Sequence, residues 1–204
     1  KRDWGNVSEH CLTELARVQI FAEKLGLSDE VSKNLKLAAA LHDFDKKNEI
    51  LAIKAALRRG ETGIDASDAA DVVGENQLRE AGFNEETIRL AGCVGGKPPQ
   101  LFVMEKVLGS ASFTEHEIAL LIMHYVDGYT SGDKWANPAI KQEDGAVVNE
   151  VDRRMQKNLE NPMYTKQDNG YIPLFNGHPL LEGRGPIKNE ALVCHEIEKQ
   201  IARL

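Results

Sequence analysis

An all-helical fold is what this sequence predicts, and three observations predict it. Aromatic residues make up only 6% of the 204-residue chain, while alanine, leucine and glutamate, all strong helix formers, are plentiful. Apolar residues recur at helical spacing in one segment after another, and no alternating run of the strand kind appears. Glycines and N-capping residues bracket these segments, as helix ends require.

Taken in order, residues 8–25 form the first expected helix, with Cys11, Leu15, Val18, Ala22 and Leu25 on one arc beside Phe21. "GLSDE" stops it at Gly26 and starts a second helix with Ser28 as N-cap and acids in the first turn. That helix runs through "VSKNLKLAAALHD". A third, "EILAIKAALRRG", stops at Gly60. A fourth begins near Asp65 or Ser67 and closes at Gly82; a short fifth, "NEETIRLAG", takes Asn84 as its cap. Paired glycines and prolines make "CVGGKPPQ" a break. "TEHEIALLIMHYVDGY" opens on a capping box, Thr114 with Glu117, ahead of an apolar run that ends at Gly128.

The last third differs. Residues 129–146 and 161–187 are rich in Gly, Pro, Asn and Asp, and they bracket a polar helix, "NEVDRRMQKNLE", and a final helix, "NEALVCHEIEKQIARL". The organisation expected is one domain over residues 1–204. A core over 1–130 carries a loop-rich C-terminal extension, 131–204, with two helices.

A formal charge of -7 argues against nucleic acid or a membrane surface as a partner, because both need a basic footprint. No apolar run approaches the roughly 18–20 residues of a membrane span, and the N-terminus lacks the apolar core of a signal peptide. Cys11, Cys93 and Cys194 are odd in number and widely spaced, the pattern of reduced thiols in a cytoplasmic protein.

One stretch stands apart. "AAALHDFDKKNEI" runs from strong helix formers straight into an adjacent imidazole and carboxylate. His10, His42-Asp43 and Asp127 each fall near an end of a different predicted helix, and together they offer two imidazoles and two carboxylates. Such a mixed donor set suits one divalent Mn, Fe, Co, Ni or Zn better than Ca or Mg. If the helix carrying the doublet stays regular, Lys46 projects at about 40° from His42 and Asp43 at about 100°, which places an ammonium between the two ligands. Asp45 and Glu49 project to the His42 side, where either can take a proton from an activated water. His10 lies at the margin of its helix's apolar arc with Glu14 and Arg17 beside it. Cys11, one residue on, points into that arc and reads as buried and inert.

At these residues the chain resembles the HD-domain metal-dependent phosphohydrolases. Their pattern is a His on an early helix, a His-Asp doublet closing a later one, and a distant Asp ending an apolar helix. His10, His42-Asp43 and Asp127 match it in order; Lys46 matches the Lys that often follows the doublet, and "HYVDGY" matches the tail. The likeness covers roughly residues 1–130. It implies an all-helical HD-type bundle, a bound divalent metal and hydrolysis of a phosphate ester, commonly of a nucleotide, by a metal-activated water. Two departures stand out. Asp45 replaces a small residue frequent in relatives, and Gly95-Gly96 occupies a slot where two-metal relatives carry histidine.

The expected protein is therefore a mononuclear metal-dependent phosphohydrolase acting on a small phosphorylated substrate. Metal ligands are His10, His42, Asp43 and Asp127, and catalytic residues come from Lys46, Asp45 and Glu49. A non-catalytic metal- or nucleotide-binding module, favoured by Asp45, and a di-iron oxygenase on the same scaffold are the alternatives. His124 reads as a core histidine and His116 as exposed; His178 and His195 lie beyond the resemblance. The basic "RRMQK" and Arg58-Arg59 are solvated faces by default, although arginine there can clamp a remote part of the substrate.

Overall fold

A computed structural model of the chain describes residues 5–61, 63–94, 106–107, 112–130, 140–141, 147–148, 150–159 and 186–204. Among them run α1 (Gly5–Leu25), α2 (Asp29–Leu41), α3 (Lys46–Arg58), α4 (Gly63–Glu80), α5 (Glu85–Ala91), α6 (Glu115–Tyr129), α7 (Glu150–Leu159) and α8 (Pro186–Ile201). The fold is all-α. Among the described residues the one departure is a two-residue antiparallel ladder between α6 and α7, Ile140 opposite Val148 and Lys141 opposite Val147. No helix among the described residues is long and apolar enough to cross a membrane.

The helices form where the sequence places them, for legible reasons. Gly26, at φ 65°, ends α1 in the left-handed region, and the Leu27 N–H reaches back to the Ala22 carbonyl. That is the closure a glycine allows at lowest cost. Asn84 caps α5 by accepting from the Thr87 N–H at 2.8 Å, and the Thr114–Glu117 capping box opens α6. Ser28 departs from expectation. It sits at the N-cap of α2 without a capping bond, because its hydroxyl donates to Glu115 Oε2 at 2.6 Å. It ties two helix starts together instead of closing one.

The main core is built from α1, α2, α5 and α6. Val18 and Ala22 meet Leu35, Ala38 and Ala39 of α2, Leu90 of α5, and Ile122, Met123 and Val126 of α6. Ala38 and Ala39 of α2 are fully buried; their short side chains let α2 lie close against its neighbours while its length carries His42 to the edge of the core. The C-terminal helices pack on the outer side of α6. Leu121 joins Val193 and Ile197 of α8 in a second cluster, and Val151 and Met155 of α7 join Cys194 in a third. Gly128 makes room for this: a Cβ there would fall on Cys194 Sγ, with Glu190 Oε1 also in the way. All three cysteines are free and buried.

Candidate metal centre

His42 reaches the centre because α2 stops one residue before it. Its Nδ1 donates to the Ala39 carbonyl at 3.0 Å, the acceptor that a continuing helix would give to the Asp43 N–H. The chain then turns through residues 42–45, with Phe44 N–H bonded to Leu41 and Lys46 N–H to Asp43, and α3 starts at Lys46. The regular helix assumed in projecting Lys46, Asp45 and Glu49 is therefore absent. The same Nδ1–H bond orients the ring and leaves Nε2 as the nitrogen that can ligate a metal once its proton is lost. His42 Nε2 is buried and has no hydrogen-bond partner.

His10 comes from the second turn of α1 and packs edge-on against His42, ring centroids 5.2 Å apart. Its Nε2 lies 3.2 Å from Asp127 Oδ1, 2.8 Å from Glu14 Oε1 and 3.9 Å from Asp43 Oδ2. Asp127 arrives from the last turn of α6. That turn is held on α1 by Arg17, which donates to Thr130 Oγ1 at 2.9 Å and lies over the Tyr129 ring at 4.4 Å. Asp43 Oδ2 stands 3.7 Å from His42 Nε2. Of the four residues expected as ligands, His10, His42 and Asp127 thus come together, and Asp43 stands beside them.

A fifth residue joins them that the sequence did not nominate. Glu14, one turn after His10, is fully buried, and neither carboxylate oxygen makes a hydrogen bond of good geometry. Its Oε2 faces His42 Nδ1 at 3.4 Å. One ligand atom each from His10, Glu14, His42 and Asp127 lies within 4.8 Å of all the others; Asp43 is outside this tightest set and borders it through both imidazoles. The one available signal for Glu14 was an acid at the edge of α1's apolar arc.

The electrostatics are those of a cation site. Burial alone would pull the His10 imidazolium down, but hydrogen bonds to Asp127 and Glu14 outweigh it and hold the pKa at about 9. His42 rises to about 10 against the same desolvation, through Cys11 and the charges of Glu14, Asp43 and Asp127. Burial pushes the Glu14 carboxyl up. Burial would raise Asp127 too, yet His10, Arg154 and His42 hold it well below the usual carboxylate range. Glu14 faces only the two imidazoles and makes no hydrogen bond of good geometry through either oxygen, a costly setting for a buried carboxylate, and a divalent ion offers nitrogen- and oxygen-seeking coordination where these atoms converge. This buried His/Glu/Asp group can hold a metal ion.

Around the rim, Lys46 Nζ lies 3.5 Å from Asp43 Oδ1 and 2.9 Å from Glu49 Oε2. Glu49 accepts from Ser67 Oγ through its other oxygen at 3.0 Å, so it holds the lysine from behind. Asp45 is not brought to the cluster; its side chain bonds Asn48 at the start of α3. The other described histidines point elsewhere. His124 is buried and bonds the Cys93 carbonyl at 2.8 Å, with Glu190 3.2 Å from its other nitrogen. His116 is exposed and pairs with Glu86, and His178 lies outside the described residues. No family model matches this chain, and neither curated proteins nor solved structures give a significant match.

Proposed function

We propose that this protein is a metal-dependent phosphohydrolase acting on a small phosphorylated molecule, a nucleotide being the first class to try. The observation that carries the reading is the convergence of His10, Glu14, His42 and Asp127, with unpartnered buried donor atoms, beside an ammonium held in place at Asp43. Two imidazoles and carboxylates suit Mn, Fe, Co, Ni or Zn. The chemistry that such an ion supplies when bound is polarisation of a phosphoryl oxygen and a lowered pKa for a water. His42 is oriented for ligation by its bond to Ala39. Lys46 meets negative charge on the phosphoryl oxygens, and Glu49 with Ser67 keeps it there. Glu49 is thus a positioning residue. Asp45 has no part in this scheme.

A single ion is proposed, because His116 and His124 are committed to Glu86, Cys93 and Glu190 and leave no second histidine pair at the cluster among the described residues. Elemental analysis of protein purified without tag or chelator, followed by phosphate release from a panel of mono- and diesters, tests the reading. About one transition-metal ion per chain, with turnover abolished by chelation and by Asp127→Asn, is the expected result. Metal without turnover on any ester would make the protein a binding module, and two irons would point to oxygenase chemistry. No metal after incubation with these ions would end the proposal.

A further inference from the structure

Among the described residues, the C-terminal extension delivers one to the centre. Arg154, on α7, places Nη2 3.8 Å from Asp127 Oδ1, too far for a hydrogen bond. Its Nη1 is buried and has no hydrogen-bond partner among the described residues. A guanidinium whose only task was to neutralise Asp127 would close to a two-pronged contact, since its planar fork matches a carboxylate. Here the fork stops short, with an unused donor in the interior, where an unmet donor is costly.

The position is not accidental to a loose helix. Val151 and Met155 of α7 are buried against Cys194, Tyr125 and Tyr129. Asp152 bonds His195 Nε2 at 2.7 Å, His195 Nδ1 bonds Glu198 at 2.9 Å, and Tyr125 donates to Glu198 at 2.7 Å. Packing and this polar chain anchor α7 to α8 and α6, and so set where Arg154 points.

We infer that Arg154 is a phosphate-binding residue of the same site, and that the site selects phosphate monoesters over diesters. The inference rests on the metal reading above. Among the described residues two cations then border the ligand set, Lys46 beside Asp43 and Arg154 beside Asp127, and the ion makes a third positive group. A monoester presents three terminal oxygens, one for each. A diester presents two and leaves one of the three groups without an anionic partner. The unused Nη1 donor is the place of the third oxygen.

The test separates the two layers. Mn2+ is titrated first into wild-type protein, Arg154→Met and Arg154→Lys, with thermal unfolding as the check on folding. Inorganic phosphate, and separately dimethyl phosphate, are then titrated calorimetrically into the Mn2+-loaded proteins. The expected result has four parts. Arg154→Met binds Mn2+ at least as tightly as wild type, because a positive charge beside Asp127 is gone, and it binds inorganic phosphate at least tenfold more weakly. Arg154→Lys falls between the two, and wild type prefers inorganic phosphate to dimethyl phosphate by at least tenfold. Unchanged phosphate affinity in Mn2+-loaded Arg154→Met, or loss of Mn2+ in that variant, would reduce Arg154 to a prop for Asp127 and overturn the inference while leaving the metal centre standing. Equal affinity for the two anions would overturn the monoester preference. Wild-type protein that binds no Mn2+ would remove both.

Discussion

Loading the centre with a divalent ion should expel protons, and the number follows from the structure. In the metal-free protein His10 titrates at about 9 and His42 at about 10, both raised from 6.5. Each imidazolium is a counter-ion to the buried carboxylates. Near neutral pH both are therefore protonated, while a metal accepts only the neutral ring. Binding one ion must release the proton of each, and Glu14, whose carboxyl burial pushes up, can only add to the count. With two protons displaced, apparent affinity should climb roughly a hundredfold per pH unit between about pH 7 and 9. The metal-free fold has the opposite dependence. A histidine pKa raised on folding contributes stability that is fully present below 6.5 and is lost as pH rises through about 9 and 10. Calorimetric Mn2+ titrations at pH 7, in buffers of different ionisation enthalpy, give the proton count directly. Thermal unfolding from pH 6 to 10, with and without Mn2+, gives the crossed trends. A count near zero together with a pH-independent affinity would refute the reasoning, because the imidazoles would then be neutral beside Glu14 and Asp127.

Other consequences are simpler to read. Asp43→Ala should abolish metal retention while far-ultraviolet circular dichroism stays unchanged, and normal metal content in that variant would remove Asp43 from the ligands. Glu14→Gln keeps the shape and should weaken Mn2+ binding by more than about a hundredfold, the upper end for a group that only orients a ligand. Gly128→Ala drives a methyl into Cys194 Sγ and Glu190 and should cost about 1–3 kcal/mol, with partial recovery on adding Cys194→Ala; an unchanged melting temperature would show that α8 is not held that close. Thr114→Ala removes half of the capping box and should cost about 1 kcal/mol, or about 2–4 °C in a chain this long. Its partner Glu117 is held at about 2, against an ordinary 4.5, first by Lys106 and then by the Thr114 N–H. Its contribution is thus complete above about 4.5 and disappears as pH falls through about 2, an acid limb that Glu117→Gln should flatten.

The sequence by itself determined the helices and most of the donor types. Gly26, Asn84 and Thr114 act through bonds to residues within a few positions, so helix ends could be read from neighbours alone. His10, the His42-Asp43 doublet and Asp127 were legible for a related reason: each is a polar group at the border of an apolar helical segment, where burial demands a partner. Ser28 shows the limit of local reading, since a hydroxyl fit to cap α2 found a better acceptor on Glu115, far along the chain. Lys46 reached the rim by a different route from its helical projection, because His42 took the Ala39 carbonyl and broke the helix that the projection assumed. That broken helix also turned Asp45 towards Asn48. Glu14 and Arg154 were settled only in three dimensions. Whether an acid on α1 faces solvent or two imidazoles depends on how α1 is rotated against α2 and α6, and Arg154 meets Asp127 because Val151, Met155 and the Asp152–His195–Glu198 chain seat α7 on α6 and α8. Local backbone chemistry is written in sequence neighbours, whereas the charge balance of a buried site is fixed by which helix faces the packing of the whole chain brings together.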